Sequence, residues 1–166
     1  MPNNSRFPCQ PAGGCHSSAR KPILDTKRLG EVAELAFILK ATSLGLTPSR
    51  PYGDRRPYDF LLECGKRVLR IQIKSVFANR PRDGHRFFIN AGISRNTGNT
   101  KRERVGYTSD EIDFIVAYVA PHNAWYVIPV NALAQRTFIN LYPLGKTRSL
   151  GGLFEKYREA WHLLHP

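Results

Sequence analysis

The sequence predicts an α/β domain with a mixed β-sheet at its centre and helices on its flanks. Three observations carry this. An apolar helical stretch comes first, a strand pair joined by a glycine-containing turn follows, and two β-branched and aromatic runs lie further on. The expected order is helix, three strands, loop, two strands and helices, with no internal period that would indicate repeats. At 166 residues the chain reads as a single domain over 27–166, preceded by a flexible tail over 1–26 that is rich in Asn, Ser, Pro and Gly.

Residues 29–41 are helical by pattern. Val32, Leu35, Ala36 and Leu39 follow the i, i+3, i+4, i+7 spacing, while Ala33, Phe37, Ile38 and Ala41 fill most of the remaining circumference. Such a helix is expected to be largely buried, with Glu34 set among apolar neighbours and Gly45 marking the end. A segment rich in Pro, Gly and Arg then leads to Pro57-Tyr58-Asp59-Phe60-Leu61-Leu62 and Val68-Leu69-Arg70-Ile71-Gln72-Ile73-Lys74-Ser75. Side chains alternate along a strand, so Arg70, Gln72 and Lys74 share one face while Leu69, Ile71 and Ile73 face the core. A two-residue turn at Gly65-Lys66 sets Asp59 opposite Gln72, with Lys74 one same-face step beyond.

A further strand is expected over 86–91, then a polar, basic loop over 94–106. That loop carries Arg95, Lys101, Arg102 and Arg104 among Asn, Thr and Gly, a composition suited to following a phosphate backbone rather than to building a core. The runs at 112–119 and 125–128 are strands with a turn at Pro121-His122-Asn123. A short helical piece near 131–134 and an irregular basic stretch follow. Leu153, Phe154, Tyr157, Trp161 and Leu164 then mark an amphipathic closing helix.

The chain has 25 Lys and Arg against 13 Asp and Glu, a formal charge of +12 that points to a polyanionic partner such as nucleic acid. No apolar run is long enough for a membrane span. Cys9, Cys15 and Cys64 are too few and odd in number for a disulfide framework, and no secretory segment precedes the domain, so a cytoplasmic location is expected. Gly145-Lys146-Thr147 lacks the upstream glycine of a phosphate loop, so no nucleotide cofactor is expected. Glu34, Asp59, the Gln72 side-chain carbonyl and the Ile73 main-chain carbonyl are oxygen ligands of the kind Mg²⁺ takes, and Mn²⁺ accepts the same donors. Lys74 is placed to orient a water or to stabilise phosphate charge, with the Ser75 hydroxyl beside it as a second phosphate contact.

Several segments in fixed order carry a resemblance to a known family. They are Gly30-Glu31-Val32-Ala33-Glu34-Leu35, Pro51-Tyr52-Gly53-Asp54 with Tyr58-Asp59, Arg70-Ile71-Gln72-Ile73-Lys74-Ser75, and Ile112-Asp113-Phe114 with Trp125-Tyr126-Val127-Ile128-Pro129. Together they resemble the P-D-(D/E)-x-K nuclease superfamily, nearest to a branch that contains an intron-encoded homing endonuclease. The resemblance covers most of the chain and implies a restriction-endonuclease-like fold and Mg²⁺-dependent cleavage of double-stranded DNA. The active site it implies is Glu34, Asp59, Gln72 and Lys74, with Glu31 as the competing helix carboxylate. The spacing from Glu34 to Gly45 resembles that of archaeal junction resolvases and favours Glu34. Gln72 departs from the usual Glu or Asp, which removes a negative charge from the metal site. One site per chain implies a homodimer or homotetramer for cutting both strands. A junction resolvase, or a DNA-binding module of this fold without chemistry, are the other functions this pattern admits.

Overall fold

A computed structural model describes residues 25–53, 56–78, 86–96, 102–145 and 152–165. Nearly all of the expected tail, together with Cys9, Cys15, Asp54 and Lys101, lies outside these residues. Helix α1 spans Thr26–Ser43, and the Asp25 carboxylate caps it by accepting from the Arg28 amide at 2.7 Å. The strands that follow are β1 (Pro48–Ser49), β2 (Phe60–Cys64), β3 (Arg67–Val76), β4 (Phe87–Asn90), β5 (Gly92–Asn96), β6 (Arg102–Gly106), β7 (Phe114–Val119), β8 (Ala124–Pro129) and β9 (Phe138–Leu141). The short helix α2 (Val130–Leu133) separates the last two.

The fold is α/β with a mixed central sheet, as the sequence predicts. Five strands lie in the order β1-β2-β3-β7-β8; β3 and β7 run parallel and the other neighbours antiparallel. The β2–β3 hairpin has the expected register, with Cys64 opposite Arg67 and Phe60 opposite Ile71. Its two-residue turn works because Gly65 takes a φ of +61°, which costs a glycine nothing.

Each face of the sheet carries its own core. On one, Leu69, Ile71 and Ile73 of β3 pack with Phe37 of α1, Trp125 and Trp161. On the other, Ile115, Ala117 and Val119 of β7 pack with β4, β9 and α2. Arg70 and Asp113 fix the parallel pair. Arg70 donates from its backbone N (2.7 Å) and Nε (3.0 Å) to Asp113 Oδ2, and Nη2 donates to Oδ1 at 3.0 Å. The Asp113 amide returns a bond to the Arg70 carbonyl at 2.9 Å. This reciprocal pairing sets the start of β7 beside the middle of β3.

Four expectations are corrected. The helix is not buried all round: Ala33, Phe37 and Ala41 form the buried stripe, whereas Leu35 is 65% and Leu39 75% exposed. Small alanines on either side of Phe37 let α1 sit close against the sheet, so the Val32-Leu35-Leu39 row is the outward one. The basic loop is in large part an antiparallel arm, β5 paired with β6. Backbone pairing needs no apolar side chains, so its polar composition is compatible with strands whose faces meet water. The stretch after α2 holds β9, paired with β4, in which Ile139 and Leu141 are buried while Phe138 and Asn140 are not.

The closing helix, finally, is two 3₁₀ turns, Glu155–Tyr157 and Trp161–Leu164. Between them Arg158 is extended and bridges Tyr126, and Glu159 takes a φ of +49°. The Glu159 amide donates to the Trp125 carbonyl at 2.8 Å rather than to a helical carbonyl, and its carboxylate accepts from the Trp125 amide and from Trp161 Nε1, each at 2.8 Å.

Candidate active site

Asp59 lies immediately before β2, and the hairpin register carries it opposite Gln72. One carboxylate oxygen, Asp59 Oδ2, accepts from Gln72 Nε2 at 2.6 Å and from the Ile73 amide at 2.7 Å. Gln72 Nε2 also donates to the Ile73 carbonyl at 3.2 Å. Both partners of that amide group are acceptors, so the nitrogen must face them. Gln72 is only 9% exposed, the single buried polar side chain among the described residues. Asp59 Oδ2 and the Ile73 carbonyl thus converge on one positively polarised atom.

Glu34 and Asp59 line one cleft of about 420 Å³, together with Arg50, Pro51, Tyr52, Gly53, Arg56 and Tyr58. Burial, then the charge of Asp59, raises the Glu34 pKa above its usual range, and the ion-paired Arg50 guanidinium opposes the shift. Asp59 is also raised, chiefly by burial, against the pull of the Ile73 amide and of the positive charges of Lys74 and Arg50.

Lys74 occupies the same face of β3 as Gln72, one step on, half-buried and 5.5 Å from the centre of the Tyr107 ring. Burial lowers its pKa, the Asp59 charge resists, and nearby Arg104 adds to the lowering. Ser75 follows it on β3, half-buried. The four residues singled out by sequence are therefore grouped by the fold: Asp59 with Gln72 by contact, Glu34 and Lys74 with Asp59 through their fields. Glu31 is exposed on α1 and lines no part of the cleft.

The basic residues are used unequally. Arg95 is ion-paired to Glu111, which also accepts from the Thr108 amide at 3.0 Å. Arg104 lies over the Phe138 ring at 5.2 Å, and Arg102 is exposed on the arm. Arg50 and Tyr107 were not singled out by sequence reasoning. Arg50 stands in a Pro- and Arg-rich connection that gives no sign of its carboxylate partner, and Tyr107 is brought to Lys74 only by the return of β6.

Residues 24–163 match the family described as PD-(D/E)XK endonuclease. The chain belongs to that family. Seven solved chains also match. One is a bacterial homing endonuclease, I-Ssp6803I, at 31% identity and a TM-score of 0.72, the match covering 84% of this chain and 93% of that one. Against curated protein sequences nothing matches. As a PD-(D/E)XK endonuclease the protein is a nuclease that hydrolyses DNA phosphodiester bonds, and nucleases of this family generally use divalent metal ions. No helix among the described residues is long and apolar enough to cross a membrane.

Proposed function

We propose that this endonuclease is Mg²⁺-dependent, resembles homing endonucleases in cutting double-stranded DNA, and acts as a homodimer or homotetramer. Glu34, Asp59, the Gln72 side chain and the Ile73 carbonyl would hold the cation, with Mn²⁺ as a competent substitute. The observation that carries this reading is the convergence of Asp59 Oδ2 and the Ile73 carbonyl on a single donor atom, at 2.6 and 3.2 Å. Both oxygens face one point, held here by the Gln72 amide nitrogen, and the donor set is all oxygen once the Gln72 amide turns its carbonyl inward.

When bound, the cation supplies Lewis-acid polarisation of the scissile phosphodiester and offsets its growing negative charge. The chain does the rest. Burial, with a smaller contribution from Arg104, lowers the Lys74 pKa while the Asp59 charge opposes it, and Lys74 Nζ would orient the attacking water or stabilise the phosphate charge. Tyr107 covers one side of Lys74 and restricts its access to solvent. Arg102 and Arg104 on the arm, with Lys101 and with Ser75 at the strand, would meet DNA phosphates, while Arg95 contributes less because Glu111 holds its charge.

Cutting both strands of a duplex takes two sites, and the chain has one, hence the symmetric oligomer. Light scattering checks this: a monomer points to nicking.

The internal hydrogen bonding of Asp59 by Gln72 also supports a second reading, a DNA-binding module in which the cation never enters. Incubating supercoiled plasmid with Mg²⁺, Mn²⁺ or EDTA separates the two. Metal-dependent linear products support the nuclease proposed; tight DNA binding without products under any condition supports the module.

A further inference from the structure

Arg50 follows β1 directly, and β1 is paired to β2 through Pro48 with Leu62 and Ser49 with Leu61. That pairing fixes the Arg50 backbone at the sheet edge, beside the strand that Asp59 leads into. The side chain is 62% exposed, crosses the Phe60 ring at 6.0 Å and ends on Glu34. Arg56 and Tyr58 complete the same cleft wall.

We propose that Arg50 is an exchangeable counterion, which holds Glu34 while the site lacks a divalent cation and passes to the scissile phosphodiester of DNA when a cation takes Glu34. This rests on the cation site proposed above. A guanidinium and a divalent cation repel each other at one carboxylate, so each weakens the other's hold there. A released guanidinium needs an anion with two oxygens in its plane, and a phosphodiester presents them. The exposed stem lets the head move without disturbing the core. The field of Arg50 reaches Asp59 as well as Glu34, which places the guanidinium by both proposed ligands. Without metal, Arg50 acts on both carboxylates of the cleft and Lys74 on Asp59. With a divalent cation the cleft becomes positive and suited to a phosphate.

The experiment uses the full chain, with Ca²⁺ and a short mixed-sequence duplex as probes. Calorimetric titration without DNA compares Ca²⁺ binding to wild type, Arg50→Gln and Arg50→Lys. Duplex affinity is then measured for each in EDTA and in Ca²⁺. Arg50→Gln is expected to bind Ca²⁺ several-fold more tightly. Its duplex affinity should stay near wild type in EDTA but fall about tenfold in Ca²⁺, a coupling of ordinary size. Arg50→Lys, which keeps the charge but not the fork, should restore wild-type Ca²⁺ affinity and only part of the duplex affinity. Unchanged or weaker Ca²⁺ binding by Arg50→Gln overturns the exchange, as does an equal loss of duplex affinity in EDTA and in Ca²⁺. A wild type that shows this coupling yet cleaves no DNA would defeat the proposed nuclease mechanism and leave the exchange standing.

Discussion

The amide nitrogen of Gln72 sits 2.6 Å from Asp59 Oδ2 and occupies the place where a second carboxylate would meet the first. Glutamate cannot donate a hydrogen bond when ionised, so Gln72 allows the metal-free site to exist without two buried like charges in contact. At the proposed cation site its cost would be one negative charge fewer to hold the metal. Gln72→Glu is therefore expected to lower the stability of the metal-free protein by about 1–3 kcal/mol. Mg²⁺ should raise its melting temperature by more than it raises that of wild type. Thermal denaturation with and without Mg²⁺ reads both effects, and a metal-free melting temperature equal to wild type would count against this role for the amide.

Phe37 and Leu39 test which face of α1 meets the sheet. Phe37 is fully buried against Phe60, Trp125 and Trp161, with ring centroids 5.1 to 6.4 Å away. Phe37→Ala should cost about 3–5 kcal/mol through the cavity it leaves. Leu39→Ala should stay within about 0.5 kcal/mol. Urea denaturation distinguishes the two, and a larger loss at Leu39 would mean the helix is rotated.

The contrast between those residues also shows where the sequence is readable. Gly65-Lys66 and the strict alternation after it define one register, so the meeting of Asp59 with Gln72, and Lys74 one step on, can be read from the chain alone. Helix α1 has apolar residues on nearly every side, and periodicity alone does not choose between Phe37 and Leu39. The spacing of Phe154, Tyr157, Trp161 and Leu164 is helical, yet Glu159 finds better bonds at Trp125 and Trp161 and breaks the helix. The arm and β9 stay hidden because strand pairing is a long-range event that basic composition neither requires nor forbids. Arg50 is unreadable for the same reason, its partner lying sixteen residues away on another element.

Acidification should affect the site and the scaffold in opposite senses. Asp59 has a raised pKa, so its ionised form costs stability above that pKa, and the cost is relieved as pH falls through it toward the ordinary 3.8. Protonation also removes a proposed ligand, so the Mg²⁺-induced rise in melting temperature should shrink over that window. Burial would raise Asp113 too, but its hydrogen bonds with Arg70 and the Arg70 charge prevail and hold it below 3.8. Its stabilisation is thus complete above 3.8 and lost only as pH falls through the lower folded value. Asp113→Asn should cost about 1–2 kcal/mol at neutral pH, with the gap to wild type closing in strong acid. Melting curves across pH test both signs, and a gap that widens with acid would contradict them.

Arg104, Arg102 and Arg95 should not be equivalent in DNA binding. Removing one basic side chain from a phosphate reduces the slope of log affinity against log salt by about 0.9. Arg102→Ala and Arg104→Ala are expected to show that change, and Arg95→Ala a smaller one because Glu111 already neutralises it. Salt titrations of duplex binding measure all three. Equal slopes for the three variants would place Arg95 on the DNA.

Cleavage of supercoiled plasmid in Mg²⁺ by wild type and Lys74→Ala, beside duplex binding by both, decides whether Lys74 acts at the reacting water. Placing Lys74 at the reacting water predicts that the substitution slows cleavage by about a hundredfold or more while duplex affinity changes little. Cleavage at the wild-type rate by Lys74→Ala would show that the chemistry lies elsewhere.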